Sequence, residues 1–214
     1  LSSQAMLEGP QAMQALIEQR LDLHVLFNGG TYVTRLDGTA IADFPLSAGR
    51  VGVNYIDRDY IATPLSEGRA TIGRPIMGKK AQAPVFVMVA PIRDAQNKVI
   101  GAITGVINLA MPSFLDQITE NRYGKTGGYL LVAPKDGLIV TATDKRRIME
   151  TSPAPGVNPT IDRFHQGYEG YAVYVNPHGV EMLVALKGIP LAGWYLAANL
   201  PTAEAFAPIR DMQQ

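Results

Sequence analysis

One order of local events occurs twice in this chain, and the repetition narrows the folds open to it. Tyr32-Val33-Thr34-Arg35-Leu36 runs into Asp37-Gly38 and leaves through Thr39-Ala40-Ile41-Ala42. Asp-Gly supplies the positive φ of a tight hairpin turn, so this stretch predicts two paired strands. Tyr129-Leu130-Leu131-Val132-Ala133 then turns through Lys135-Asp136-Gly137 into Leu138-Ile139-Val140-Thr141 in the same way. After the first hairpin an irregular stretch, 45 to about 73, holds short helical candidates at 55–61 and 64–68. Two apolar strands follow, 84–92 and 99–109, joined by Asp94-Ala95-Gln96-Asn97-Lys98. After the second hairpin come a helical 161–166 and strands at 171–175, 180–187 and 194–200, with Asn176-Pro177-His178-Gly179 as a turn. Two copies of hairpin, helical loop and antiparallel strands predict an α+β chain of two tandem modules.

Helices frame the copies. Over residues 1–28, Met6, Met13, Leu16, Ile17, Leu21, Leu23 and Val25 recur at spacings of three and four, interrupted at Gly9-Pro10. Such a stripe either covers a core or pairs with a second chain. Residues 111–128 link the copies, helical over 113–123 and ending in Gly124-Lys125-Thr126-Gly127-Gly128. From Thr202, an N-cap residue type with Glu204 in the first turn, the chain reads helical again and exits past Pro208. It opens on Leu1 without a Met and reads as a fragment whose flanks, membrane helices included, lie elsewhere. No apolar run approaches the ~20 residues of a membrane span.

Composition removes several chemistries. With no cysteine, thiolate metal sites, disulfides and cysteine nucleophiles are excluded. Zero net charge and a 7% aromatic content that does not alternate with basic residues argue against nucleic acid as a partner. His24, His165 and His178 stand far apart with no HExxH spacing, and no G-x-S-x-G elbow accompanies them, so no metal and no catalytic residue is expected. The Gly-rich 124–128 lacks the eight-residue phosphate-loop pattern and leads into a strand, which reads as a joint.

The most informative stretch is Asn54-Tyr55-Ile56-Asp57-Arg58-Asp59-Tyr60, followed by Gly68-Arg69-Ala70-Thr71-Ile72-Gly73-Arg74-Pro75. A guanidinium pairs bidentately with a carboxylate, and a tyrosine offers a ring wall and a hydroxyl. Arg58, Tyr60 and Arg74 on a loop over a sheet would form the polar end of a small-molecule pocket. The alternative is a solvated turn with a local ion pair. An enzyme using Asp57 and Asp59 is disfavoured, since residues two apart point to opposite faces when extended.

Asp57-Arg58-Asp59-Tyr60, the segment 68–76, and Val89-Ala90-Pro91-Ile92-Arg93-Asp94 with Val99-Ile100-Gly101 together resemble the double Cache (dCache) sensor family. Lys125-Thr126-Gly127-Gly128-Tyr129, Asp136-Gly137 and Gly193-Trp194-Tyr195 are similar to its membrane-proximal module. The resemblance implies two PAS-like modules along a long N-terminal helix. Residues 1–28 would be that helix, 29–110 the membrane-distal, ligand-binding module, and 111–128 a linker helix and joint. Residues 129–200 would form the membrane-proximal module and 201–214 an exit helix toward the membrane. The resemblance further implies a periplasmic, non-catalytic, cofactor-free domain of an inner-membrane protein, paired as a homodimer through the N-terminal helix. Such domains signal to a diguanylate cyclase, a phosphodiesterase, a histidine kinase or a chemoreceptor output. The wording Pro201-Thr202-Ala203-Glu204-Ala205-Phe206-Ala207-Pro208-Ile209-Arg210 looks most like the cyclase-linked members. A ligand-free dimerisation scaffold is the alternative.

The family's amino-acid-binding subset carries an arginine followed two residues on by Trp and then Tyr. Here Arg58 matches, Tyr60 stands for the Trp and Ile61 for the Tyr. The subset also places an Asp in the last distal strand to hold the ligand ammonium, and that place here is Val106. A buried ammonium against valine has no counter-charge, which is costly. A small carboxylate, or an apolar ligand with an acidic end, therefore suits Arg58 and Arg74 better. Thr104 and Asn108 share the face of Val106 by strand alternation, and Met77, Phe86 and Met88 complete the expected lining. Residues 50–80 carry Arg50, Arg58, Arg69, Arg74, Lys79 and Lys80 against Asp57, Asp59 and Glu67, so the neutral chain concentrates positive charge on this segment.

Overall fold

The computed structural model describes residues 2–208, in two units divided between Ser113 and Phe114. The expected exit helix beyond residue 208 lies outside the described residues.

The long N-terminal helix is broken twice. Helices α1 (Ser2–Glu8), α2 (Pro10–Glu18) and α3 (Leu21–Leu26) replace it. Proline has no N–H for the preceding turn and its ring clashes there, so it begins a helix; Pro10 opens α2 after Gly9 at φ 110°. Arg20 at ψ 71° makes the second break. Only part of the apolar stripe is covered, with Met13 and Ile17 buried and Leu21 and Val25 exposed.

In the first unit, β1 (Thr31–Arg35) and β2 (Ala40–Phe44) form the expected hairpin, with Gly38 at φ 82° and Asp37 Oδ1 accepting from the Thr39 N–H at 2.9 Å. One helix, α4 (Asp59–Glu67), takes the place of the two short candidates and runs through Pro64. The proline leaves the Tyr60 carbonyl without its helical donor; the Thr71 hydroxyl supplies one at 2.9 Å. Strands β3 (Thr71–Ile72), β4 (Ile76–Met77), β5 (Pro84–Arg93) and β6 (Val99–Asn108) complete a sheet of order β2-β1-β6-β5-β3, with β4 also on β5.

The two faces of this sheet do different work. Val85, Val87 and Val89 of β5 lie opposite Asn108, Val106 and Thr104 of β6 and share a core with Tyr32, Tyr55, Tyr60, Ile61 and Leu65. The other face packs on the N-terminal helices through Met13, Ile17, Val33, Ala42 and Ile92. Glycines make that approach close. A Cβ on Gly105 would stand 2.3 Å from the Phe27 ring, and one on Gly101 would stand 2.7 Å from the Met6 methyl. The Gln14 amide clips α2 to β2, accepting from the Asp43 N–H at 2.9 Å and donating to its carbonyl at 2.8 Å.

The second unit repeats the plan. After a single turn α5 (Asp116–Thr119), shorter than the helix expected over 113–123, come β7 (Gly128–Ala133), β8 (Leu138–Ala142), α6 (Pro159–His165), β9 (Gly170–Val175), β10 (Glu181–Ile189) and β11 (Trp194–Pro201). The order β8-β7-β11-β10-β9 again sets a hairpin beside the last strand of its module. Asn158 caps α6, its side chain accepting from the Thr160 and Ile161 N–H groups, as an Asn N-cap should. Thr202, expected as a cap, is instead the first residue of α7 (Thr202–Ala205), and its hydroxyl donates to Glu181 Oε1 at 2.6 Å. Glu204 reaches back to the Gly-rich joint, accepting from the N–H groups of Lys125 and Thr126 and from the Thr126 hydroxyl.

Candidate functional site

Strand alternation and α4 bring three phenols together on the inner face of the first sheet. Tyr32 projects from β1, Tyr55 from the loop before α4, and Tyr60 from the first turn of α4; all three are buried. The rings of Tyr32 and Tyr55 lie 4.8 Å apart, centroid to centroid. Burial raises the Tyr32 phenol well above its ordinary value, pushes Tyr55 up to about 12, and raises Tyr60. Removing a phenol proton would bury an anion, so each remains a neutral donor at ordinary pH. Close packing at Gly73 shapes one wall: a Cβ there would sit 2.9 Å from a Val87 methyl and 3.1 Å from the Tyr60 Cβ.

Charge enters from two sides. Arg50 is buried, with its guanidinium 5.4 Å from the centre of the Tyr32 ring, and it is fully committed. Its Nη1 donates to Asp43 Oδ1 at 2.8 Å, its backbone N–H to Asp43 Oδ2 at 2.8 Å, and its Nη2 to the Gly29 carbonyl. Asp43 stands opposite Tyr32 on the same face and is wholly buried, so the carboxylate nearest that ring is already neutralised. Arg58 sits beside Tyr55 and Tyr60, near enough to hold both phenols back from a still higher value. Its Nε is buried without a hydrogen-bond partner, and its only ion pair among the described residues is a loose one of 3.9 Å to Asp57. Thr104 Oγ1, paired across the strands with Tyr32, is likewise buried; it is near enough to the Tyr32 phenol to lower that group's pKa but makes no well-aligned hydrogen bond. Unused donors in a buried place cost free energy unless something arrives to take them.

The expected site residues separate into two groups. Arg58, Tyr60 and Thr104 converge on the phenol cluster. Val106, where the amino-acid-binding subset has an Asp, is buried in the same core. The others fall elsewhere. Phe86 and Met88 lie opposite Ile107 and Gly105, on the helix-facing side, because residues one apart from Val85, Val87 and Val89 point the other way. Met77 is more than half exposed, and its neighbour Ile76 turns inward. Arg74 is exposed, between β3 and β4. Asn108 shares the inner face but uses its amide oxygen to accept from the Ala110 N–H at 2.9 Å, closing the strand end. Tyr32, Tyr55 and Arg50 also gather at this cluster, although none of them was among the expected lining residues. A tyrosine alternating with Thr34 on a hairpin strand was the available signal for the first.

In the second unit the equivalent face is filled. Phe164 stacks edge-on against Tyr174 at 5.2 Å and packs with Val132, Val184, Leu186 and Tyr195, leaving a space of about 50 Å³. His165 is half-buried beside the Tyr195 ring and Ser152 Oγ. Burial lowers its pKa from the ordinary value. The neutral ring therefore stabilises the fold fully above about pH 6.5, and that contribution is lost as pH falls through the depressed value. Thermal melts between pH 7.5 and 5 should show this decline, and His165→Gln should flatten it.

Among the described residues no group of three or more His, Asp or Glu could hold a metal ion, and no helix is long and apolar enough to cross a membrane. A sequence model of the Cache domain family matches residues 7–209. The ligand-binding domain of the Pseudomonas aeruginosa PAO1 amino acid chemoreceptor PctB, in complex with L-Arg, superposes with a TM-score of 0.71 at 24% identity, over 96% of this chain and 84% of that one. The ligand-binding domain of the Pseudomonas fluorescens chemoreceptor CtaA, in complex with L-serine, gives 0.66 at 18% identity over 94% and 84%. At these identities the likeness to solved structures is one of fold.

Proposed function

This chain belongs to the double Cache family of ligand-binding sensor domains, and from that premise we propose that its first unit binds a small carboxylate. The ligand's acidic end lies on Arg58, and its body rests against Tyr55, Tyr60 and the Thr104 hydroxyl. One observation carries the reading: Arg58 Nε is buried without a hydrogen-bond partner, in a core whose last strand offers Val106 and whose adjacent carboxylate, Asp43, is held by Arg50. Ligand binding then favours one arrangement of the segment between Tyr55 and Arg74 over another, a differential of about 1–3 kcal/mol on the usual scale of such coupling. We assign the first unit as membrane-distal and the second as membrane-proximal, in an extracytoplasmic, non-catalytic region of a transmembrane signalling protein that dimerises through its N-terminal helices. The output is a diguanylate cyclase or phosphodiesterase, with a chemoreceptor or a histidine kinase as the alternative.

A second reading, an α-amino acid ligand, is favoured by the amino acids in the complexes of PctB and CtaA. Thermal shift against a panel of short carboxylates and L-amino acids separates the two. A carboxylate should raise Tm in the native protein and not in Arg58→Ala. Stabilisation by an amino acid that is lost in Arg58→Ala overturns the ligand assignment.

A further inference from the structure

Three consecutive cations occupy a single tight turn in the second unit. Asp144 caps the 3-10 turn Lys145–Arg147, its Oδ1 accepting from the Arg146 N–H at 3.1 Å. All three side chains line a cleft of about 460 Å³, and Arg122, before the Gly-rich joint, lines it too. The volume is that of a small-metabolite site, and the cleft adjoins the apolar space beneath Phe164, with Leu130, Arg147 and Tyr174 lining both. From this arrangement we propose that the second unit carries its own binding site for a compact multivalent anion, phosphoryl or polycarboxylate.

The charge around the cleft does not cancel. Asp144 is the one carboxylate that lines it. Asp116 and Glu150 take part of the charge of Lys145 and Arg147. Arg122 has no ion pair among the described residues, and four cations therefore meet three carboxylates. The pair of Arg146 with Asp144 is 2.7 Å long but highly exposed on the arginine side, where an ion pair is worth little and exchanges readily for a better anion. The floor adds a neutral donor. Asn199 is buried, and its Oδ1 accepts from the Tyr174 hydroxyl at 3.3 Å. Its amide nitrogen reaches only the Ala197 carbonyl, at the limiting distance of 3.5 Å, and so has capacity to spare. An anion that takes the place of Asp144 on the exposed Arg146 meets two uncompensated cations, Arg146 and Arg122, which suits a multivalent anion better than a singly charged one. The first unit differs in presenting one loosely paired arginine, Arg58, among phenols. The two sites therefore call for different ligands.

Calorimetric titration of the full chain with inorganic phosphate, pyrophosphate and citrate, with acetate as the monovalent control, tests the site. Saturable binding of at least one multivalent anion is expected, weakening as salt is raised. A response confined to the phosphates or to citrate identifies which source the site serves. Replacing the exposed pair Arg122→Gln and Arg146→Gln should weaken binding by about tenfold or more, while Arg58→Ala leaves it unchanged. No saturable binding by any of the three anions overturns the proposal, and so does unchanged affinity in the double variant. Loss of binding in Arg58→Ala also overturns it, by placing the anion in the first unit; an inert Arg58 leaves this site standing whatever becomes of the carboxylate reading.

Discussion

Arg50→Met should destabilise the first unit by about 3–5 kcal/mol, the usual cost of removing one partner from a buried ion pair. Asp43 is wholly buried, and its two carboxylate oxygens accept from the Arg50 side chain and backbone. The methionine keeps much of the packing against Tyr32 but leaves a carboxylate stranded under a phenol ring. It also removes the donor to the Gly29 carbonyl, where the chain turns out of the helices into β1. Urea unfolding reads the loss directly. A double variant, Arg50→Met with Asp43→Asn, should recover a large part of it, since the stranded charge rather than the missing guanidinium dominates. Equal loss in single and double variants would locate the effect in packing instead.

Phe86→Ala should cost about 3–5 kcal/mol, the range for emptying a well-packed aromatic site. Phe86 is 1% exposed and stands opposite Ile107, itself fully buried. The cavity would open on the face that receives the N-terminal helices, away from the phenol cluster. Ligand affinity of the folded protein should therefore stay close to native, measured on Phe86→Leu if the alanine variant is too unstable. A loss of affinity in Phe86→Leu matching that in Arg58→Ala would restore Phe86 to the ligand lining.

The contrast between Phe86 and Arg58 shows what the sequence made legible. The hairpins, the long apolar strands and the tandem repeat stand out because turn chemistry and strand-length apolar runs are local signals. Facing is not local in a strand buried on both sides. Pro84-Val85-Phe86-Val87-Met88-Val89 is apolar at every position, so nothing in its pattern tells which alternate set meets a ligand. Arg58 and Tyr60 stand out in the sequence because they sit in a short polar run with few rival readings. Arg50, Tyr32 and Asp43 became partners only through the pairing of β1 with β2 and the return of the loop over it. The N-terminal helix failed for the opposite reason. Its apolar spacing was legible, but Gly9-Pro10 and a second break at Arg20 divide it.

The clasp between Glu204 and the Gly-rich joint has a mechanical consequence. Gly128 opens β7 directly opposite Asn199, near the close of β11, so both chain ends of the second module leave its sheet on the same side. A load applied between those ends meets the Glu204 hydrogen bonds first. Beyond them the β7–β11 rungs open singly, from Gly128–Asn199 toward Val132–Tyr195, as a zip rather than in shear. The first bonds to yield are thus those of a single carboxylate, that of Glu204.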